Sequence, residues 1–201
     1  MKRYDQAYFR RWYHQSGSRI SSTRALTRKV HLAVSAAEYL LGRRVQTVLD
    51  VGCGEAPWFP LLRTLRPRVH YLGIDSSEYA VNRYGKRRHI RFGTFGGLRE
   101  LRLSPGFDLV VSSDVMQYLP TPELERGLKE IRRLVGGVAY IEAFTREDDM
   151  EGDMDGWHFR SAAHYRRLFR QAGLTLCGLN CFIDSRRADA VNAFERCGAK
   201  V

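Results

Sequence analysis

From Val45 onward, short unbroken apolar runs alternate with stretches of helical period, and no other feature restricts the possible folds as strongly. The runs are VQTVLDV (45–51), VHYLGID (69–75), HIRFG (89–93), FDLVVSS (107–113), GVAYIEAF (137–144) and LTLCGLNCFI (174–183). Strands without polar alternation are buried on both faces. Strands separated by helices must cross over between neighbours, which makes them parallel. The expectation is an α/β fold: a doubly wound, mostly parallel sheet with helices on both faces. The run 174–183 is expected as one sixth strand, with Cys177 and Cys181 on the same face and no seventh strand evident. Helices are expected at SEYAVNRYG, at TPELERGLKEIRRLV with Thr121 as cap and Pro122 in the first turn, and at SAAHYRRLFRQAG. Pro57 suits the first turn of the helix after the first strand.

Before the first strand lie two helical patterns. Residues 4–14 space Tyr4, Tyr8, Phe9, Trp12 and Tyr13 along one stripe, and roughly 22–41 bring Leu26, Val30, Ala33, Ala37 and Leu40 into register, with Gly42 placed to end the helix. A chain of 201 residues suits one domain, burying ~70% of its surface. It divides into a basic N-terminal helical segment (1–44), an α/β core (45–184) and a tail (185–201) that could be helical. The first residues, MKRYDQAYFRRWYHQ, hold no apolar run of signal-peptide type. No stretch approaches the ~18 apolar residues of a membrane helix, so no membrane partner is expected and the default location is cytoplasmic.

In parallel sheets, ligands bind beyond the carboxyl ends of the strands, where connections diverge to opposite faces. Here those ends carry Asp50-x-Gly52-Cys53-Gly54, then Asp75, then Thr94-Phe95, then Ser112-Ser113-Asp114. Glycines let the backbone turn sharply and approach a ligand. Asp75, 21 residues after Gly54, is placed to accept both hydroxyls of an adenosine ribose. Nicotinamide dinucleotides share that much. However, Asp50 puts a carboxylate beside the loop, which suits an ammonium and repels a pyrophosphate, and Ala56-Pro57 replaces the final glycine that pyrophosphate docking prefers.

VLDVGCGEA, YLGIDSSEYA, FDLVVSSDVMQYLP and RRLVGGVAYIEAF, in this order and spacing, resemble the successive motifs of the class I S-adenosylmethionine-dependent methyltransferases. The resemblance spans about Val45 to Leu176. It implies a Rossmann-like fold, S-adenosylmethionine as cofactor, and methyl transfer to an O or N atom of a small molecule. It also implies that Asp50, Gly52 and Gly54 lie along the methionine part, that Asp75 holds the ribose, and that Ser76 lies beside the adenine. Thr94 and Phe95 stand where the family often has an acid for the adenine amine; a backbone amide and the Phe95 ring are the substitutes here. Ser113 and Asp114 are candidate contacts to cofactor and acceptor. Tyr8, Trp12 and Tyr13 would otherwise be core residues, but N-terminal helices in this family commonly form a lid over the methyl donor, with substrate beneath.

Methyl transfer from a sulfonium needs chiefly positioning and water exclusion, and a base only for an acceptor that arrives protonated. His158 and Glu142 are the catalytic candidates. Other readings rest on charge. The net charge is +11, and residues 1–44 carry ten basic side chains against Asp5 and Glu38. That head would favour an RNA substrate through phosphate contacts. EDDMEGDMD (147–155), with six acids in nine residues, would repel a nucleic-acid backbone, and no Asn-Pro-Pro-Tyr-like motif follows the fourth strand. A nucleic-acid partner is therefore the lesser reading, as are an inactive cofactor-binding scaffold and an NAD-dependent oxidoreductase. The acidic loop matches calcium-loop positions one, three, five and six, but Ala162 replaces the bidentate glutamate at twelve, so no metal is expected. The four cysteines, none in Cys-x-x-Cys spacing, are read as reduced thiols.

Overall fold

The computed structural model describes residues 4–14, 23–149 and 152–196. Cys197, and Glu151 of the acidic loop, lie outside these. Seven strands form one sheet in the order β3-β2-β1-β4-β5-β7-β6. The strands are β1 (Thr47–Val51), β2 (His70–Asp75), β3 (Ile90–Phe92), β4 (Phe107–Ser113), β5 (Val135–Glu142), β6 (Leu174–Leu176) and β7 (Cys181–Asp184). β1 to β5 pair in parallel, whereas β7 runs antiparallel to both β5 and β6. Among the described residues no helix is long and apolar enough to cross a membrane.

Unbroken apolar strands send alternate side chains to two covered faces. Val48, Leu109, Val111, Val138 and Tyr140 pack under α2 (Thr23–Leu41) and α3 (Trp58–Leu65), with Val81 and Tyr84 of α4 (Glu78–Arg88) alongside. Leu49, Val51, Val110, Ala139 and Ile141 face α5 (Thr121–Leu134) and α6 (Ala162–Ala172) on the other side. The expected register of the long N-terminal helix holds, since Val30, Ala33 and Ala37 are all buried.

Three expectations are corrected. The run 174–183 is a hairpin, not a strand. Gly178, Leu179 and Asn180 all adopt positive φ (93°, 48° and 64°) and reverse the chain, so a seventh strand exists, and Cys177 and Cys181 flank the turn instead of sharing a strand face. Residues 4–14 are not one regular helix. Asp5 caps a four-residue α1 (Gln6–Phe9) by accepting from the Tyr8 amide at 3.0 Å, and Arg10–His14 continue as a π-turn. Pro120 occupies the cap position of α5, and Thr121 is the first helical residue, its Oγ1 accepting from Arg160.

At the amino end of the sheet, Asp108, the second residue of β4, has a buried side chain. Its carboxylate accepts both Arg43 terminal nitrogens (2.7 and 3.0 Å) and the amides of Gln46 (2.7 Å) and Thr47 (3.1 Å). Burial opposes ionisation here, but these donors, Arg43 first, hold the carboxyl below the usual carboxylate range. Its backbone is equally confined, because a Cβ on Gly137 of β5 would stand 2.2 Å from the Asp108 carbonyl oxygen.

Asp108→Ala leaves two part-buried amides and the Arg43 guanidinium without their acceptor, so it should destabilise the protein by about 2–3 kcal/mol and lower Tm by roughly 5–10 °C without altering ligand affinity at the far edge. A carboxyl held below its unfolded pKa contributes stability that is present above the unfolded value and lost as pH falls through the folded one. The variant's acid limb should be correspondingly flatter in melts from pH 7 downward. A Tm equal to that of the parent would refute the role given to Asp108.

Candidate active site

The carboxyl ends of β1, β2, β4 and β5 converge at the opposite edge. Gly52 and Gly54 turn the chain with φ of +75° and +53°, and the amides of Gly52 and Cys53 both donate to the Ile74 carbonyl (2.8 and 3.2 Å). Asp75 ties β2 to this loop. One oxygen accepts the Gly54 amide at 2.6 Å and the other the Ser77 amide at 2.8 Å, and the Ser76 amide also favours its ionised form. Asp50 is 3% exposed and receives a hydrogen bond from the Tyr71 hydroxyl at 2.7 Å. Burial pushes its carboxyl up to about 7, with the Tyr71 bond opposing and the nearby Asp75 adding.

Next to the loop lies a cavity of about 370 Å³, within the ~300–1,000 Å³ of small-ligand pockets. Asp50 and Gly52 form one side; Ser113 at the end of β4 and Asp114 after it, Glu142 at the end of β5 and Phe144 beyond it, Lys29 from α2, and Trp12 and Tyr13 form the others. Lys29 Nζ lies 2.7 Å from both Glu142 oxygens, and Ser113 Oγ donates to Oε2 at 2.5 Å. Asp114 adopts φ +62°, a left-handed conformation that aspartate tolerates. Burial pushes its carboxyl up to about 6. The Gln117 amide, which donates to Oδ1, works against this, the charges of Glu142 and Asp153 add to it, and Lys29 offsets them.

The N-terminal segment roofs the loop. The Tyr4 carbonyl accepts from Ser77 Oγ at 2.5 Å, and Phe9, 2% exposed, stacks on Tyr79 at 5.6 Å. The Phe9 ring lies so close that a Cβ on Gly54 would be 3.1 Å from it. Tyr8 meets Phe9 edge-on at 5.5 Å, and burial pushes the Tyr8 and Tyr13 hydroxyls far up. His14 Nε2 lies 3.0 Å from a Glu55 oxygen, which holds the π-turn against the first residues after the loop.

Of the residues singled out from sequence, Asp50, Gly52, Ser113, Asp114, Glu142, Trp12 and Tyr13 line this cavity, while Gly54, Asp75 and Tyr8 lie in the loop and roof beside it. Ser76 is exposed beside Asp75. Thr94 is exposed too, with Oγ1 accepting from the Gly97 amide at 3.1 Å. Phe95 is corrected: its ring lies in the core against α5, where a Cβ on Gly127 would stand 2.1 Å from it, and is not turned toward a ligand. His158 is corrected as well. Its backbone amide donates to the Gln117 carbonyl at 2.7 Å, but the side chain is exposed and does not line the cavity. Trp157 of the same loop stacks parallel to the cavity-lining Phe144 at 6.3 Å. Sequence reasoning missed Lys29. Its signal was a charged residue three positions after Leu26, on the apolar stripe.

A protein-family model described as a methyltransferase domain matches residues 18–178. No curated protein matches the chain. Among solved structures, the chain is similar to DesVI of Streptomyces venezuelae (TM-score 0.58, 18% identity, covering 80% of this chain and 89% of that one). It is also similar to the plantazolicin methyltransferase BpumL in complex with SAH (0.56, 16%, 73% and 62%) and to the [4+2]-cyclase SpnF (0.55, 23%, 82% and 63%). Identities this low establish the fold; the family match covers most of the chain. The protein belongs to the methyltransferase-domain family and is a class I S-adenosylmethionine-dependent methyltransferase.

Proposed function

We propose that the protein methylates an oxygen or nitrogen atom of a small molecule held in the cavity beneath its own N-terminal segment. The observation that carries this reading is the enclosure: the space beyond the glycine loop is bounded by Trp12 and Tyr13 and measures about 370 Å³, room for a metabolite beside the methyl-bearing end of the cofactor. An RNA substrate has less support. Asp50, Asp114 and Glu142 face the cavity, and two of the basic residues ahead of β1 are engaged internally, Lys29 with Glu142 and Arg43 with Asp108.

The chain's residues fit the cofactor. Asp50 is a buried carboxylate whose partner is a neutral hydroxyl, and the ammonium of an aminocarboxylate supplies the missing countercharge. Asp75 is an acceptor held at the end of β2 for a ribose hydroxyl, the backbone of Gly52 and Gly54 leaves room for close approach, and Ser76 and Thr94 lie on the exposed rim for the adenine. When bound, the cofactor supplies a methyl group on a sulfonium that needs no further activation. The protein's share is placement and exclusion of water, to which Phe9, Trp12 and Tyr13 contribute as the roof. Glu142 has a positioning role: held by Lys29, it anchors Ser113 at the cavity wall, and taking up a proton would break that ion pair.

S-Adenosylhomocysteine at about a hundred times its Kd should add ~2.7 kcal/mol and raise Tm by roughly 5–10 °C; Asp75→Ala should abolish the shift. A cooperative melt unmoved by this ligand would refute the assigned cofactor site.

Asp50 binds an ammonium only when ionised. Calorimetric affinity for S-adenosylhomocysteine should therefore fall as pH drops below about 7, by about tenfold per unit, while Asp50→Asn binds weakly and independently of pH. In the apo protein, a carboxyl whose folded pKa lies above its unfolded one costs stability as pH rises between the two values. Asp50→Asn should thus raise the apo Tm at pH 8 and leave it nearly unchanged at pH 4.

A further inference from the structure

The chain carries a net charge of +11, yet the cavity beside the glycine loop has the opposite sign. The cations on its wall are already engaged. Lys29 is spent on Glu142, His14 on Glu55, and Arg88 lies against the Glu55 carbonyl and the Tyr84 ring. Asp114 has no such partner: among the described residues, none forms an ion pair with it, and its hydrogen-bond donor is a neutral amide. Trp12, Tyr13 and Phe144 line the same cavity, with Arg11 4.8 Å over the Trp12 ring. Aromatic rings and a carboxylate without an ion-pair partner together favour a cation.

Resting on the methyltransferase reading, we propose that the acceptor is a small amine bound as its ammonium, and that Asp114 takes the proton that must leave before the nitrogen can be methylated. An ammonium has no lone pair. One N–H proton passes to an Asp114 oxygen; the freed lone pair then forms the new N–C bond, and the C–S electron pair stays on sulfur. The product is a methylated ammonium, and Asp114 later returns its proton to water. Charge decides between nitrogen and oxygen. An amine gains positive charge as it is methylated, which the Glu142 carboxylate stabilises while Asp114 holds the departed proton, whereas a hydroxyl activated as an oxyanion would hold negative charge beside Glu142.

Burial supports the proton-accepting role, since it lifts the Asp114 carboxyl to about 6, close to neutrality. The titratable and charged groups around it are Lys29 from α2, Glu142 from β5, Asp153 from the acidic loop, Tyr4 and Tyr13 from the N-terminal segment, and Tyr118 from the short 3₁₀ turn after β4. The Tyr118 hydroxyl donates to the Asp153 carbonyl at 2.8 Å, which holds the acidic loop beside the cavity. The same loop would draw a cationic acceptor toward the site.

The test is calorimetric titration of the protein loaded with S-adenosylhomocysteine, using choline and its uncharged carbon counterpart 3,3-dimethylbutan-1-ol as probes. Choline should bind at least about tenfold more tightly. The preference should fall below about threefold in Asp114→Asn, a side chain that tolerates the same left-handed backbone, and choline affinity should weaken below about pH 6 in the parent but not in the variant. S-Adenosylhomocysteine binding in the variant reports that it is folded. Equal binding of the two probes, no binding of either, or a preference that survives in Asp114→Asn overturns the proposal. Failure of S-adenosylhomocysteine itself to bind would instead overturn the cofactor reading on which the proposal rests.

Discussion

The parallel pairing of β1 with β2 on one side and β4 on the other is the constraint from which the rest follows. It places Asp50 opposite Gly73 and Val111 in register and brings the carboxyl ends of β1, β2 and β4 to one edge, where connections leave for opposite faces. The two edges of the sheet treat a buried carboxylate in opposite ways. Asp108 and Asp50 are each 3% exposed. The first is met by a guanidinium and two amides and is held ionised; the second meets a phenol and a neighbouring carboxylate, and its acidity is weakened. The amino-terminal edge is complete in itself. The carboxyl-terminal edge leaves the Asp50 carboxyl without a charged partner, as expected where strain and unmet charge collect at a functional site.

Much of this was legible in the residues. Five apolar runs gave the parallel part of the sheet because a strand covered on both faces has no polar alternation, and Asp50, Gly52, Gly54 and Asp75 announced themselves by position at strand ends. The hairpin was hidden because its turn uses Leu179 in a left-handed conformation, so the apolar run passes through the reversal without a visible break. Phe95 was misjudged for a different reason: what turns its ring inward is the missing side chain of Gly127 on a helix far along the chain, and no local pattern carries that pairing. His158 and Trp157 are adjacent, and it is Trp157 whose ring packs on Phe144 of the cavity wall, which leaves the His158 side chain exposed. Lys29 lay on an apolar stripe, where its charge made sense only once Glu142 was brought beneath it.

The uneven charge of the chain resolves along similar lines. Lys29 reaches down to the end of β5 and Arg43 to the start of β4, so part of the basic head is internal scaffolding that clamps α2 and its exit onto opposite ends of adjacent strands. The acidic loop is fastened next to the cavity through Tyr118 and Asp153. Basic sequence thus steadies the frame, and acidic sequence shapes the field that a ligand meets.

The first described residue is itself part of the roof. Ser77 grips the Tyr4 carbonyl, and five residues later Phe9 lies over Gly54. Loosening the bond between Ser77 and the Tyr4 carbonyl would therefore release the ring that covers Gly54, so uncovering the glycine loop and detaching the N-terminal segment are one event.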